Sequence, residues 1–316
     1  MQYMNEEQAR ALFGAEFEKI DAYKEKQESR ELDIQTQIEW HINRFGYVTG
    51  SEVHRISFIE AKKAEGTSRA AKLDWLKNNA NEAYNELLGI AKKQGKDVEK
   101  LPTTIINKHY DSIPAKLVPS EKTINYAHEL AGQMLLDINQ LRESETIPRW
   151  LETSSTPTEW GKENEPLARE AVADLGYEVE TPPQIQHKEL SFVRYNADGI
   201  LTDSKGGKGL LEIKCPYNPN IHTQNLLSNK VLDKKHIAQI CLGMIVTGAD
   251  FYVFASYDPR TIKAAQLGTV FVKRSDFVKQ IWQMELNLRM FWADVYRPIL
   301  KTYVKKGLLV DCPFLV

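Results

Sequence analysis

Cysteine is scarce in this chain of 316 residues: Cys215, Cys241 and Cys312 are odd in number and widely scattered. That scatter argues against a disulfide framework and against a cysteine-based zinc or iron–sulfur site. Long apolar runs are missing as well. The longest apolar stretches, such as ICLGMIV at 240–246, fall far short of the ~20 residues of a membrane-crossing helix. The opening MQYMNEEQAR is charged where a secretory leader has an apolar core, so the expected location is the cytoplasm. An excess of charge of either sign is also absent, with 41 Lys and Arg against 43 Asp and Glu giving a net −2. Such a sum neither favours nor excludes nucleic acid, because binding follows local basic patches. No repeat or low-complexity segment breaks the chain. What is present, 42% apolar and 27% charged residues, is ordinary for a globular protein and sufficient for one large or two modest domains.

The first forty residues alternate charged and apolar positions at helical spacing and predict one or two solvated helices. WHINRFGYVTGSEVHRI (40–56) breaks that pattern with turns at Gly46 and Gly50, and Ser51 is placed to cap a new helix. An amphipathic helix is expected over 68–95, then a Lys-rich loop containing Pro102, then a helix near 120–143. After the turn-rich TSSTPTEW (153–160), WGKENEPLAREAVADL (160–175) reads as a helix closed by Gly176. From there the period changes to two. Strands are expected on both sides of SKGGK (204–208), a hairpin turn, and Pro216 ends the returning strand GLLEIKCP. A helix over 225–246, strands at 250–258 and 268–274, and a long helix over 275–305 complete the chain. In that last helix Trp282, Phe291 and Trp292 read as core or subunit interface. The order indicates an α/β fold with a mixed sheet flanked by helices.

GLLEIKCP raises a chemical question. Side chains at i and i+2 of a strand share a face, so Glu212 and Lys214 project together while Ile213 points to the other side. The turn at SKGGK folds the preceding NADGILTD back beside them, and a suitable register brings Asp198 next to Glu212. Two carboxylates and a lysine on a half-buried face are costly without a counter-ion. A divalent cation with hard oxygen ligands, Mg²⁺ or Mn²⁺, resolves the cost, and the lysine then serves a bound water or a phosphate. The alternative is a plain Glu212–Lys214 ion pair on a solvent-facing strand. His41 and His54 lack an acidic or thiol partner at ligand spacing and read as packing or DNA-backbone residues.

Five blocks in order resemble the lambda-type phage exonuclease branch of the PD-(D/E)xK nuclease superfamily, the YqaJ-like viral recombinases. They are WHINRFGYVTGSEVH (40–54), WGKENEPLAR (160–169), DGILTDSKGGKGLLEIKCP (198–216), HIAQI (236–240) and ASYDPR (255–260). The resemblance implies one nuclease domain over 1–316. Its parts are a helical extension at 1–39, a helical insertion at 57–150, a catalytic core at 151–274 and a C-terminal helix and tail at 275–316. It implies that Asp198, Glu212, the Ile213 carbonyl and Glu165 hold Mg²⁺ (Mn²⁺ as a substitute), with two ions. Lys214 then acts on the attacking water, Gln239 closes the motif, and Arg44 and Ser51 hold a 5′-phosphate. Asn196 stands where the family carries a serine and is able to donate to a phosphate in its place. The implied activity is a 5′→3′ exonuclease on double-stranded DNA ends, working as a trimeric ring beside a single-strand annealing protein in a bacterial host. Two alternatives share the same core: a structure- or site-specific endonuclease, and a non-catalytic DNA-end-binding module.

Overall fold

The computed structural model describes residues 33–61, 67–151, 156–227 and 234–315. Helical expectations for residues 1–32 lie outside the described residues, and the first described helix, α1, covers 33–42. The chain divides into two compact units, one of them Arg55–Tyr126 and the other formed by the remainder.

In the smaller unit, strands β1 (Phe58–Glu60) and β2 (Leu117–Pro119) pair antiparallel beside three helices. The single helix expected over 68–95 is two, α2 (Arg69–Asn79) and α3 (Asn81–Lys93), because Ala80 leaves helical geometry at φ −147°. A third helix, α4 (Thr103–Ser112), follows Pro102 where a loop was expected. Its proline supplies the extended residue before the first turn. Leu73, Leu76, Leu87, Val98, Leu101 and Ile106 close a core of their own between these elements.

The larger unit carries the five-stranded sheet. Helix α5 (Glu121–Gln133) and the short α6 (Ile138–Arg142) replace the single helix expected near 120–143. Helix α7 (Thr156–Ala173) starts with Pro157 in its first turn and ends before Gly176, whose φ of +95° is the left-handed geometry of a helix stop. The sheet then forms from β3 (Glu178–Glu180), β6 (Gly199–Thr202), β7 (Lys208–Lys214), β8 (Phe251–Tyr257) and β9 (Leu267–Lys273), side by side in that order. A separate two-residue pair, β4 (Ile185–Gln186) with β5 (Arg194–Tyr195), lies between β3 and β6 in sequence.

The β6–β7 hairpin turns at Asp203–Gly207, where Asp203 Oδ1 accepts from the Lys205 and Gly207 amides at 2.8 Å and Gly206 takes φ +80°. β7 and β8 run parallel, so the chain between them crosses over through α8 (Pro219–Leu227) and α9 (Lys234–Thr247). Of the stretch 225–246 expected as helix, α8 covers the start and α9 the end. On one face of the sheet Ala168 and Val172 of α7 meet Leu211, Ile213, Val253 and Ala255 in the core. On the other face α9 packs against β8 and β5. The last helical run is α10 (Val278–Met290), a π-helical stretch at Phe291–Tyr296 and α11 (Arg297–Lys305). Phe291 is fully buried and Trp292 stacks on Phe192 at 5.0 Å between ring centroids, whereas Trp282 is 75% exposed.

Candidate active site

The hairpin register decides the site. Gly199 pairs with Leu211, which sets Asp198, just before β6, opposite Glu212. Asp198 Oδ2 accepts from the Ile213 amide at 2.7 Å, so its carboxylate is held at the edge of β7. Glu212 is 3% exposed and takes three donors. Lys214 Nζ donates to its Oε1. Gln239 Nε2 of α9 donates to Oε2 at 2.6 Å, and the Tyr252 hydroxyl of β8 donates to the same oxygen at 3.2 Å. Glu212 and Lys214 do share a face, but that face is covered by α9 and is not a solvated strand surface.

Glu165 reaches the site from α7. Arg169, one turn on, donates to Glu165 Oε1 at 2.5 Å and to the backbone oxygen of Asp198 at 3.1 Å, so it ties the helix carboxylate to the start of β6. Glu163 of the same helix is exposed. On the opposite wall Arg44 donates to Thr49 Oγ1 at 3.1 Å and Ser51 Oγ at 3.3 Å, with its guanidinium stacked on Trp40 at 4.4 Å. Ser51 therefore serves Arg44, and the segment after it makes only a 3₁₀ turn at Val53–Arg55 where a capped helix was expected. These walls enclose a cleft of about 450 Å³ lined by Trp40, Arg44, Ser51, Glu165, Asn196 and Asp198, with Gln239 also at its surface.

The electrostatics are lopsided. Burial, and next the charge of Glu212, push the Asp198 carboxyl up to about 7. For Lys214 burial works against the charge, but Glu212, Asp198 and Glu165 outweigh it and raise the ammonium above its ordinary range. Lys214 is thus a firmly held cation and serves as a donor, not as a proton acceptor. Burial, followed by nearby negative charge, also raises the Tyr195 and Tyr252 phenols well above their usual range.

A divalent cation fits this donor set. Among the described residues no three His, Cys, Asp or Glu side chains converge into a ready-made cage. What converges is a pair of facing carboxylates, with Asp198 resisting ionisation through burial first and the neighbouring Glu212 second. Positive charge between Asp198 and Glu212 would remove that resistance, and the Ile213 carbonyl adds a hard oxygen. Glu165 stands at the same cleft with its carboxylate turned to Arg169.

The chain is similar to known proteins in part of its sequence and in its fold. Residues 113–250 match the family model of the YqaJ-like viral recombinase domain. The matched stretch of that domain contains Glu165, Asp198, Glu212, Lys214 and Gln239; Arg44 and Ser51 precede it and Tyr252 follows it. An alkaline exonuclease from Laribacter hongkongensis superposes with a TM-score of 0.51 at 21% identity, covering 86% of this chain and 99% of that one. The same exonuclease in complex with dAMP gives 0.51 at 22% identity, with the same coverage. A phage related exonuclease from Haemophilus somnus 129PT is more distant, at 0.41 and 12% identity over 81% of this chain and 96% of that one. No curated protein matches. The expected α/β fold, a mixed sheet flanked by helices, is shared with the Laribacter exonuclease.

Sequence reasoning missed several residues that lie at the cleft or beneath it. Arg169 was legible as an ExxxR spacing after Glu165, one helical turn apart. Trp40 lies one turn before Arg44 in the same helix-ending segment. Tyr195 and Tyr252 carry no local signal at all. The block ASYDPR works elsewhere: fully buried Asp258 pairs with Arg260, which donates to the Tyr217 carbonyl at 2.9 Å and stacks on Trp160 at 4.3 Å. It secures the chain just beyond Lys214.

Proposed function

We propose that the protein is a Mg²⁺-dependent 5′→3′ exonuclease acting on double-stranded DNA ends and leaving 3′ single-stranded tails for phage-type recombination. The observation that carries this reading is the shared cleft: a guanidinium–hydroxyl pair, Arg44 and Ser51, on one wall and the Asp198 carboxylate on another. A terminal 5′-phosphate on the first wall sets the next phosphodiester toward the second.

Asp198, Glu212, the Ile213 carbonyl and Glu165 would hold Mg²⁺, or Mn²⁺ in its place, as two ions. When bound, such ions supply Lewis acidity at the phosphoryl oxygens and lower the pKa of a coordinated water. The chain's own groups do the rest. Arg44, Thr49 and Ser51 form a forked donor site for an anion. Asn196, exposed at the cleft, is able to donate to a non-bridging oxygen in the role of the family serine. Lys214, a cation with its side chain 44% exposed, sits where it can pass from Glu212 to a phosphate or to the attacking water. Gln239 holds the far oxygen of Glu212. The same reading includes a ring of three copies, a single-strand annealing protein as partner and action in the host cytoplasm. A solution mass three times that of one chain would support the ring.

The test compares wild type with Lys214→Ala on linear duplexes bearing 5′-phosphate or 5′-hydroxyl ends and on a closed circle, with Mg²⁺ and with EDTA. Degradation of linear DNA, fastest from 5′-phosphate ends, is expected with Mg²⁺ only, and the variant should fall by about 10³-fold. Cutting of the circle would favour the endonuclease. Binding of ends without any cleavage would leave an end-binding module.

A further inference from the structure

Tyr195 and Tyr252 lie fully buried beneath Glu212 and touch neither solvent nor the cleft surface. Tyr252 donates to Glu212 Oε2 at 3.2 Å, and its hydroxyl lies 3.1 Å from that of Tyr195. A carboxylate oxygen only accepts, so the single proton of Tyr252 is committed to Glu212. Tyr195 must therefore be the donor to Tyr252. The two phenols form a directed relay that ends on the carboxylate.

The relay is fixed at its far end by two glycines. A Cβ at Gly243 would stand 2.7 Å from the Tyr195 ring carbon that bears the hydroxyl, and one at Gly50 would stand 3.0 Å from the ring edge. Gly243 lies one turn beyond Gln239 on α9, and Gly50 precedes Ser51. Tyr195 is thus packed against both the helix that supplies Gln239 and the loop that supplies the anion site.

Resting on the nuclease reading, we propose that Tyr252, backed by Tyr195, is a positioning residue that sets which oxygen of Glu212 is offered to the metal. Gln239 and Tyr252 both donate to Oε2 and bind it to the protein interior. Oε1 is held by Lys214, whose side chain is partly exposed and able to swing away. Oε1 is therefore the oxygen that exchanges an ammonium for a cation. Without the Tyr252 hydroxyl, Glu212 can turn and present either oxygen, so the site is no longer preorganised.

Tyr252→Phe keeps the ring and removes only the hydroxyl. The full-length variant is compared with wild type in three measurements: Mn²⁺ affinity by electron paramagnetic resonance of free Mn²⁺, cleavage of linear duplex DNA, and melting temperature in EDTA. The proposal expects Mn²⁺ binding weaker by about 10-fold and cleavage slower by about 10-fold or more, with KM for DNA unchanged. Tyr195→Phe should have a smaller effect and add nothing to Tyr252→Phe, because it acts only through that hydroxyl. A purely structural role would lower the melting temperature and leave Mn²⁺ affinity at the wild-type value, and that result overturns the proposal. A wild type that binds Mn²⁺ yet leaves DNA intact sinks the nuclease reading, while the affinity ratio still decides the relay. A wild type that binds no Mn²⁺ overturns both.

Discussion

Asp198→Asn is expected to reduce cleavage by at least about 10³-fold and, in the same molecule, to raise the melting temperature of the EDTA-treated protein at pH 8. The loss follows from removing one of two carboxylates that face each other across the β6–β7 hairpin. The gain follows from the cost of that carboxylate. Its carboxyl is pushed up to about 7 by burial and by Glu212, whereas in the unfolded chain it ionises near 4. A carboxyl raised on folding opposes folding wherever the unfolded chain has already released the proton. The penalty is absent below about pH 4, grows as the pH rises to about 7 and is constant above that. Asparagine keeps an oxygen to accept from the Ile213 amide and carries no charge. Its advantage at pH 8 is on the order of 2 kcal/mol, a rise of about 4 °C or more, and it should vanish toward pH 4. Paired melts of the two proteins in EDTA at pH 5 and pH 8 measure it directly. Equal melting temperatures at pH 8 would mean that the Asp198–Glu212 repulsion is relieved by something other than a cation.

Gly209→Ala is expected to cost about 1–3 kcal/mol in stability and to lower the yield of folded protein, although it touches no catalytic group. Gly209 opens β7 opposite Phe251, and a Cβ there would stand 2.1–2.5 Å from three atoms of the Phe251 ring. The ring has nowhere to go. Phe271 stacks on it at 5.3 Å and Tyr177 lies at 5.9 Å, and Phe251 itself is 5% exposed. Urea unfolding of wild type and variant gives the difference. Because the strand that would be displaced carries Glu212 and Lys214, the folded fraction of the variant should also cleave more slowly. An unchanged unfolding midpoint would show that the aromatic stack can shift as a block.

The parts of this molecule legible in its sequence are those written by local rules. Gly206 at positive φ and the Asp203 side chain define the hairpin turn, so the hairpin could be anticipated from residues 198–214, while the register that faces Asp198 with Glu212 came from the structure. Pro157 and Gly176 mark both ends of α7. The parts that were not legible depend on partners distant in sequence. Ala80 ends one helix and Pro102 begins another, yet their stretch reads as a helix followed by a loop because only packing around Leu76, Leu87 and Leu101 fixes the bends. Ser51 looks like a helix cap until Arg44 is seen to claim it. Tyr195 and Tyr252 look like ordinary β-sheet tyrosines, and their relay exists only because β5, α9 and β8 meet beneath Glu212. At the site, strand spacing put Glu212 and Lys214 on one face, whereas Glu165 and Gln239 came only through the family resemblance, and Arg169 needed the structure to show that it holds Glu165 and the Asp198 backbone together.

The crossover between β7 and β8 also bears on how the protein is made. Lys214 and Asp198 lie 2 and 15 residues from their partners Glu212 and Ile213, but Gln239 and Tyr252 lie 27 and 40 residues beyond Glu212. A ribosome that has released only the hairpin has delivered both carboxylates and the lysine on a strand whose parallel neighbour does not yet exist. Short-range contacts form first and long-range parallel pairing late. The acidic pair therefore becomes a rigid site only after α9 and β8 have been synthesised and docked. Assembly of the site is tied to synthesis of the chain beyond β8, and shorter products carry Asp198, Glu212 and Lys214 without the frame that orders them.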